Sequence, residues 1–425
     1  MIRPHVLDTI DRVWGFRSLR PLQAEAMLPE FFDLDSLTVM ATGSGKSLCY
    51  QAPALLRDGL TVVVSPLIAL MRDQVEQLAA VNYPAACLHS GMPHHRAVDV
   101  ERGVEKGLTR LLYMSPERVL EPHSIALHKR ARVEAFVIDE CHCVAQWGHD
   151  FRPDYGRLAD LRRVFPDVPI HAYTATATKR TREEVIAALE LRNPTVTIGP
   201  LDRPNLHYAF EDRVNAERQL LDFVSRRPAG EQGIVYCVTR ADAAQWAEYL
   251  TLSGVGVCVP YHAGMDDEQR EKAERMFLSG AARVIVSTSA FGMGVNKPDV
   301  RWVVHMALPP SVESYHQETG RAGRDGQPAR CVCFWDEEDV ERWMRVMSRG
   351  DGEPVPYTGD PRVQRLHEMH DFAENTDEMC RREWLEWYFD IAPSLEVSGD
   401  SEVPGSIRCT ACDVCDAIGS DAEAA

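Results

Sequence analysis

The string Met40-Ala41-Thr42-Gly43-Ser44-Gly45-Lys46-Ser47 carries the first legible chemistry. It follows the apolar run Leu37–Met40, so it lies where a buried strand hands over to a helix. There, backbone N–H groups and a helix N-terminus can cradle phosphates. Lys46 suits the β- and γ-phosphates, and the Ser47 hydroxyl suits Mg²⁺. Thr42, Gly43, Ser44 and Gly45 supply the cradle. The usual pattern has glycine six residues before the lysine; Met40 stands there, so the turn must rely on Gly43 and Gly45.

About ninety residues on, the apolar run Ala135–Ile138 ends in Asp139-Glu140-Cys141-His142. Asp139 is placed to hold Mg²⁺ through water, and Glu140 to orient or deprotonate an attacking water. A phosphate cradle and an acidic strand end, in this order, imply ATP hydrolysis. Cys141, His142, Cys143 and His149 do not make a metal site, because neighbours on alternate faces of a strand end cannot easily converge.

These residues must be held by strands alternating with helices. Apolar runs at Leu37–Met40, Thr61–Ser65, Ala85–Leu88, Arg110–Met114, Ala135–Ile138 and Ile170–Thr174 read as strands. A second alternating block has strands at Gly233–Cys237, Gly256–Pro260, Arg283–Ser287, Trp302–Met306 and Arg330–Trp335. Such alternation predicts an α/β fold with two tandem parallel-sheet domains. The expected divisions are 1–200, 201–347, a small helical metal-binding module over 348–418, and a disordered tail over 419–425. Gly199–Pro204 reads as the linker.

Cys380, Cys409, Cys412 and Cys415 include two overlapping C-x-x-C units and can offer four thiolates to tetrahedral Zn²⁺. A disulfide pair is the rival. The other eight cysteines lie mostly in apolar runs and read as small buried hydrophobes.

Composition sets looser bounds. The 425 residues carry a net charge of −18 and are 45% hydrophobic, with no apolar run long enough to span a membrane. Residues 351–425 hold 18 acidic and 5 basic side chains, a net −13, which leaves only −5 for the first 350. Global charge therefore does not exclude a nucleic-acid partner. The acidic C-terminal region is a candidate docking segment for proteins. With no secretory leader visible, the expected location is cytoplasmic, beside the nucleoid in a bacterium.

With these motifs in order, the chain resembles the RecQ family of superfamily 2 DNA helicases, from about Trp14 to Cys415. Trp14-Gly15-Phe16-Arg17-Ser18-Leu19-Arg20-Pro21-Leu22-Gln23 is similar to the family's adenine-reading segment. The resemblance implies Gln23 on the adenine edge, Phe16 stacked on the ring and Arg20 anchoring the segment. Cys143–Tyr155 resembles the aromatic-rich loop, which implies that Trp147, Phe151, Arg152 and Tyr155 bind single-stranded DNA by stacking beside a cation. Ser65–Gln74 and Met114–Arg118 resemble segments touching the DNA backbone. Thr174-Ala175-Thr176 resembles the motif linking hydrolysis to movement, and Ser287–Asn296 the one coupling DNA and ATP.

Gln317–Gly326 is similar to the family's arginine-finger motif, which implies that Arg324, assisted by Arg321, acts on the transferred phosphate. By the same resemblance the two sheet domains are RecA-like and close on ATP, and the cysteines form the family's zinc module. Tyr236–Arg240 and His316 depart from the usual family residues. The implied activity is an ATP-dependent helicase or translocase moving 3′→5′ on single-stranded or partly duplex DNA, in repair or recombination. Because the expected winged-helix and further helical domains are missing, the chain reads as a short form. A DNA-stimulated ATPase with little unwinding, and a recruitment module with a vestigial motor, are the other readings.

Overall fold

The computed structural model describes residues 4–145, 152–201, 203–292, 297–351, 359–376, 379–391, 409 and 411–417. Trp147, Phe151, the end of the Ser287–Asn296 motif and the 419–425 tail lie outside them. The chain divides into two compact units, Met1–Pro200 with Phe389–Ile391, and Leu201–Tyr388 with Ala392–Ala425.

The first unit is built on seven parallel strands: β1 (Ser36–Val39), β2 (Leu60–Val64), β3 (Ala85–Leu88), β4 (Leu111–Met114), β5 (Val133–Ile138), β6 (Ile170–Thr174) and β7 (Thr195–Ile198). They lie in the order β3-β4-β2-β5-β6-β1-β7. Alternate residues serve opposite faces, as strand pleating requires. Val62, Val64, Phe136 and Ile138 enter one apolar cluster, while Val63, Val137 and Tyr173 enter the other. A sheet covered on both faces explains why these strands read as unbroken apolar runs. The helix Lys46–Leu56 covers the second face through Leu48, Cys49, Tyr50, Ala52 and Ala54. Arg182 holds the added segment by donating to the Phe389 carbonyl at 2.9 Å and to Asp390 Oδ2 at 3.0 Å.

The second unit has six parallel strands: β8 (Leu206–Asp212), β9 (Gln232–Tyr236), β10 (Cys258–Tyr261), β11 (Val284–Ser287), β12 (Val300–His305) and β13 (Ala329–Trp335). Their order is β10-β11-β9-β12-β13-β8. Val235, Val286, Val304, Val332 and Phe334 form its core with Trp302. Glycine is required at Gly233, where a Cβ would fall 2.0 Å from the Trp302 ring. The cysteine-bearing segment groups with this unit rather than standing apart. Its Cys412 pairs with Tyr208 of β8 in a parallel bridge, and the Tyr208 N–H donates to the Ala411 carbonyl at 3.2 Å.

Candidate active site

β1 and β5 both end at one edge of the first sheet, with β6 between them. From the end of β1 the chain turns through Gly43 and Gly45, whose φ angles of 85° and 86° are left-handed. These two glycines do the turning that Met40 cannot. Gly45 is also sterically fixed, since a Cβ there would lie 2.4 Å from Gln23 Nε2. Lys46 opens the helix and donates from Nζ to the Met40 carbonyl at 2.9 Å, while Ser44 Oγ donates to Ala41 O at 2.7 Å. Ser47 is half-buried beside Tyr50.

The segment before β1 packs directly on this loop. Gln23 is buried, its Nε2 donating to Gly45 O at 3.1 Å and Ser44 O at 3.4 Å. Its Oε1 accepts from the Arg20 N–H at 2.8 Å, and the Arg20 guanidinium donates to the Gly43 carbonyl. Gln23 is thus committed to the loop rather than to open space, and reading an adenine edge means exchanging those bonds. Phe16 stays half exposed.

At the end of β5, the Asp139 N–H donates to Val64 O at 2.9 Å and its Oδ1 accepts from the Glu140 N–H at 3.1 Å. Glu140 takes a left-handed conformation, φ 49° and ψ 46°. Asp139 is buried; desolvation and the neighbouring Glu140 push its carboxyl up to about 7, with Lys46 opposing. A buried carboxylate held against its own solvation fits a divalent cation, whose charge would replace the missing water. Asp139 and Ser47 would hold Mg²⁺ here.

His142 is fully buried, and its Nδ1 lies 2.8 Å from Thr174 Oγ1 and 3.4 Å from Glu140 Oε2. The Thr174 hydroxyl donates to Thr176 O at 3.2 Å, so it accepts from a protonated Nδ1. Burial, with Lys46 and Arg152 nearby, drives the imidazole down to about 3, so the ring is neutral and its contact with Glu140 is no ion pair. The two motifs expected to communicate, 139–142 and 174–176, share this hydrogen bond.

Four residues of the expected DNA site separate. Trp147 and Phe151 fall outside the described residues. Arg152 donates to Pro66 O at 3.0 Å. Tyr155 corrects the expectation: it is fully buried, and its hydroxyl donates to Asp139 O at 3.0 Å, so neither ring face is open to a base. Its side chain follows the loop inward because it packs with Leu158 and Leu161 in the core. Ser65 and Ser115, expected near a DNA backbone, are also buried.

In the second unit, helix Val312–Thr319 runs into the turn bearing Arg321 and Arg324. Arg321 is buried beside the Tyr236 phenol, whose hydroxyl donates to the Phe291 carbonyl at 2.8 Å. Glu318 Oε2 meets His305 Nε2 at 2.8 Å within the core.

The sulfurs of Cys380, Cys409, Cys412 and Cys415 lie within 4.8 Å of one another, with Cys380 and Cys412 at 4.0 Å. Tetrahedral zinc with Zn–S bonds near 2.3 Å needs sulfurs about 3.8 Å apart, whereas a disulfide needs about 2.05 Å. None of the four forms a disulfide, so the geometry fits zinc and not the disulfide rival. Hydrogen bonds from Cys380 and Cys409 push the Cys412 thiol down, while the same contacts leave Cys380 and Cys409 raised.

Three family models match in tandem: DEAD/DEAH box helicase over residues 20–185, helicase conserved C-terminal domain over 215–326, and RecQ zinc-binding over 337–416. The chain belongs to the RecQ family of helicases. It is 42% identical over 388 residues to the ATP-dependent DNA helicase RecQ of Pasteurella multocida, covering 91% of this chain and 60% of that protein. Against the RecQ-like DNA helicase blm-1 of Caenorhabditis elegans the identity is 36%, over 98% of this chain and 42% of the relative. The chain thus spans about 60% of the length of its bacterial RecQ relatives.

Solved structures share the fold at lower identity. The Mycobacterium smegmatis helicase Lhr bound to ssDNA and AMP-PNP superposes with a TM-score of 0.63 at 22% identity, covering 81% of this chain and 50% of Lhr. Mss116p bound to ssRNA and AMP-PNP gives 0.66 at 16%, covering 87% and 80%. Both sheet domains of this RecQ-family chain are accordingly RecA-like.

Proposed function

We propose that this chain is an ATP-driven DNA helicase motor, moving 3′→5′ along single-stranded DNA in repair or recombination. The observation that carries the reading is the shared sheet edge at which Lys46, Ser47, Asp139 and Glu140 gather. Membership of a family whose relatives are named ATP-dependent DNA helicases supports DNA as the partner.

The residues divide the work. The loop 42–47 binds the triphosphate through its N–H groups once Lys46 exchanges the Met40 carbonyl for phosphate oxygen. Bound Mg²⁺ would neutralise charge on the β- and γ-phosphates. Glu140 takes a proton from water as the water oxygen bonds to the γ-phosphorus and the bond to the β,γ-bridging oxygen breaks. Arg321 and Arg324 stabilise the charge on the transferred group. His142, linking Glu140 to Thr174, reports the state of the phosphate to the 174–176 segment.

The test is ATP turnover with and without oligothymidine, beside displacement of a strand from 3′- and 5′-tailed duplexes. Turnover stimulated by DNA and lost in Lys46→Ala, with displacement from the 3′-tailed substrate, is expected. Turnover indifferent to DNA would sink the proposal.

A further inference from the structure

The turn that bears Arg321 and Arg324 has its backbone held from one side by a single guanidinium. Arg203 donates to the carbonyls of Gly320 at 3.2 Å, Ala322 at 2.9 Å and Gly323 at 2.8 Å. These carbonyls flank Arg321 on both sides and end one residue before Arg324. They follow the C-terminus of helix Val312–Thr319, where main-chain oxygens have no partner within the helix. Arginine suits the task, since it offers five N–H donors in a rigid plane and accepts nothing.

Asn205 adds a second clamp, its Nδ2 donating to Gly323 O and Gln327 O, each at 2.8 Å. The fit is close: Gly323 has φ +54°, and a Cβ there would lie 2.4 Å from Asn205 Nδ2. The 203–205 segment is fixed in turn from the zinc cluster. Arg382, two residues after Cys380 and buried, donates to the carbonyls of Arg203 at 3.2 Å, Pro204 at 3.2 Å and Leu206 at 2.8 Å.

We propose that Arg203 is a positioning residue for ATP hydrolysis, aiming Arg321 and Arg324 by clamping the backbone of their turn, with the zinc cluster bracing it through Arg382. The assignment rests on the reading of those two arginines as groups acting on the transferred phosphate. Arg203 itself touches main-chain oxygens of its own unit and contributes geometry alone. Misaiming a transition-state contact by about 1 Å costs turnover while leaving binding intact.

The experiment uses the full zinc-loaded chain and four variants: Arg203→Gln, Arg203→Lys, Arg324→Ala and the double Arg203→Gln/Arg324→Ala. Read-outs are kcat with saturating oligothymidine, affinity for a fluorescent ADP, DNA affinity by anisotropy, and melting temperature. Arg203→Gln is expected to lower kcat about 10–100-fold with both affinities unchanged, and Arg203→Lys less, since one ammonium reaches fewer carbonyls. In the Arg324→Ala background the Arg203 change should cost clearly less than in the parent, since only Arg321 is left to misaim. Arg203→Gln turning over like the parent while Arg324→Ala is defective overturns this proposal alone. Full independent losses in the double variant also overturn it. Should Arg203→Gln fail to fold, an unimpaired kcat in Arg203→Lys is decisive against it. Undiminished turnover in Arg324→Ala instead removes the underlying reading of the arginines.

Discussion

The Tyr155 hydroxyl donates to the main-chain oxygen of Asp139 at 3.0 Å, beneath the surface of the first unit. The loop that leaves the acidic strand end therefore returns to it and is pinned there. Arg152 adds a second pin through Pro66 O, so the loop base is tied to the segments after β5 and β2. A sensor role for this loop then works through its anchored base as well as through any exposed ring.

Tyr155→Phe tests that anchor. It keeps the packed ring and removes one buried hydrogen bond, which should cost about 1 kcal/mol in stability. Basal ATP turnover should persist, while the ratio of DNA-stimulated to basal turnover falls several-fold. The check is that ratio beside a urea melt; an unchanged ratio would limit Tyr155 to a packing role.

Asp139→Asn tests the buried carboxyl. In the cation-free fold the group titrates near 7, against about 3.9 when unfolded. Between those values the folded chain keeps a proton that the unfolded chain releases, so this group's contribution to stability falls as pH rises, and its cost is complete above about 7. The neutral asparagine should therefore raise the melting temperature of metal-free protein at pH 8, by a stabilisation of up to about 4 kcal/mol, and change little at pH 4. It should also abolish turnover. An equal shift at both pH values would mean that charge is not the cause.

Cys412→Ser removes one of the four thiols of the cluster. The segment around it packs on β8 through the Tyr208 bridge and through Asp413, whose Oδ2 accepts the Phe210 N–H at 2.8 Å. The variant should lose its bound zinc, read by atomic absorption as about one ion per chain in the parent, and melt at least several degrees lower. Retained zinc with unchanged melting would remove the site.

What was legible in the sequence follows from how local each signal is. β1, β2, β5 and β6 were readable because strands buried on both faces are continuous apolar runs. β7 has only one fully buried residue and gives no such run, and β8 follows directly on a proline-rich stretch that reads as linker. Lys46, Asp139 and the four cysteines announce themselves by spacing, since a phosphate loop and a C-x-x-C pair each form within a few residues. Arg203 could not be found that way: its partners lie 117 to 120 residues downstream. Tyr155 was misread because an aromatic in a loop looks the same in sequence whether it faces solvent or core.

Gln23 is the last point at which local chemistry and the fold meet. Its amide spans the loop carbonyls of Ser44 and Gly45 while Arg20 holds its other end, so pairing with a base requires these bonds to be exchanged. An adenine edge offers the complementary acceptor and donor; a guanine edge reverses them. Gln23→Ala should therefore weaken ATP more than GTP, by the about 1–3 kcal/mol that follows from losing a paired amide. Phe16→Ala should weaken both, since stacking on an exposed ring does not distinguish the bases. Competition of ATP and GTP against a fluorescent nucleotide gives both ratios. If Gln23→Ala weakened the two equally, the amide would serve only to shape the loop, and the choice of base would have to be made elsewhere.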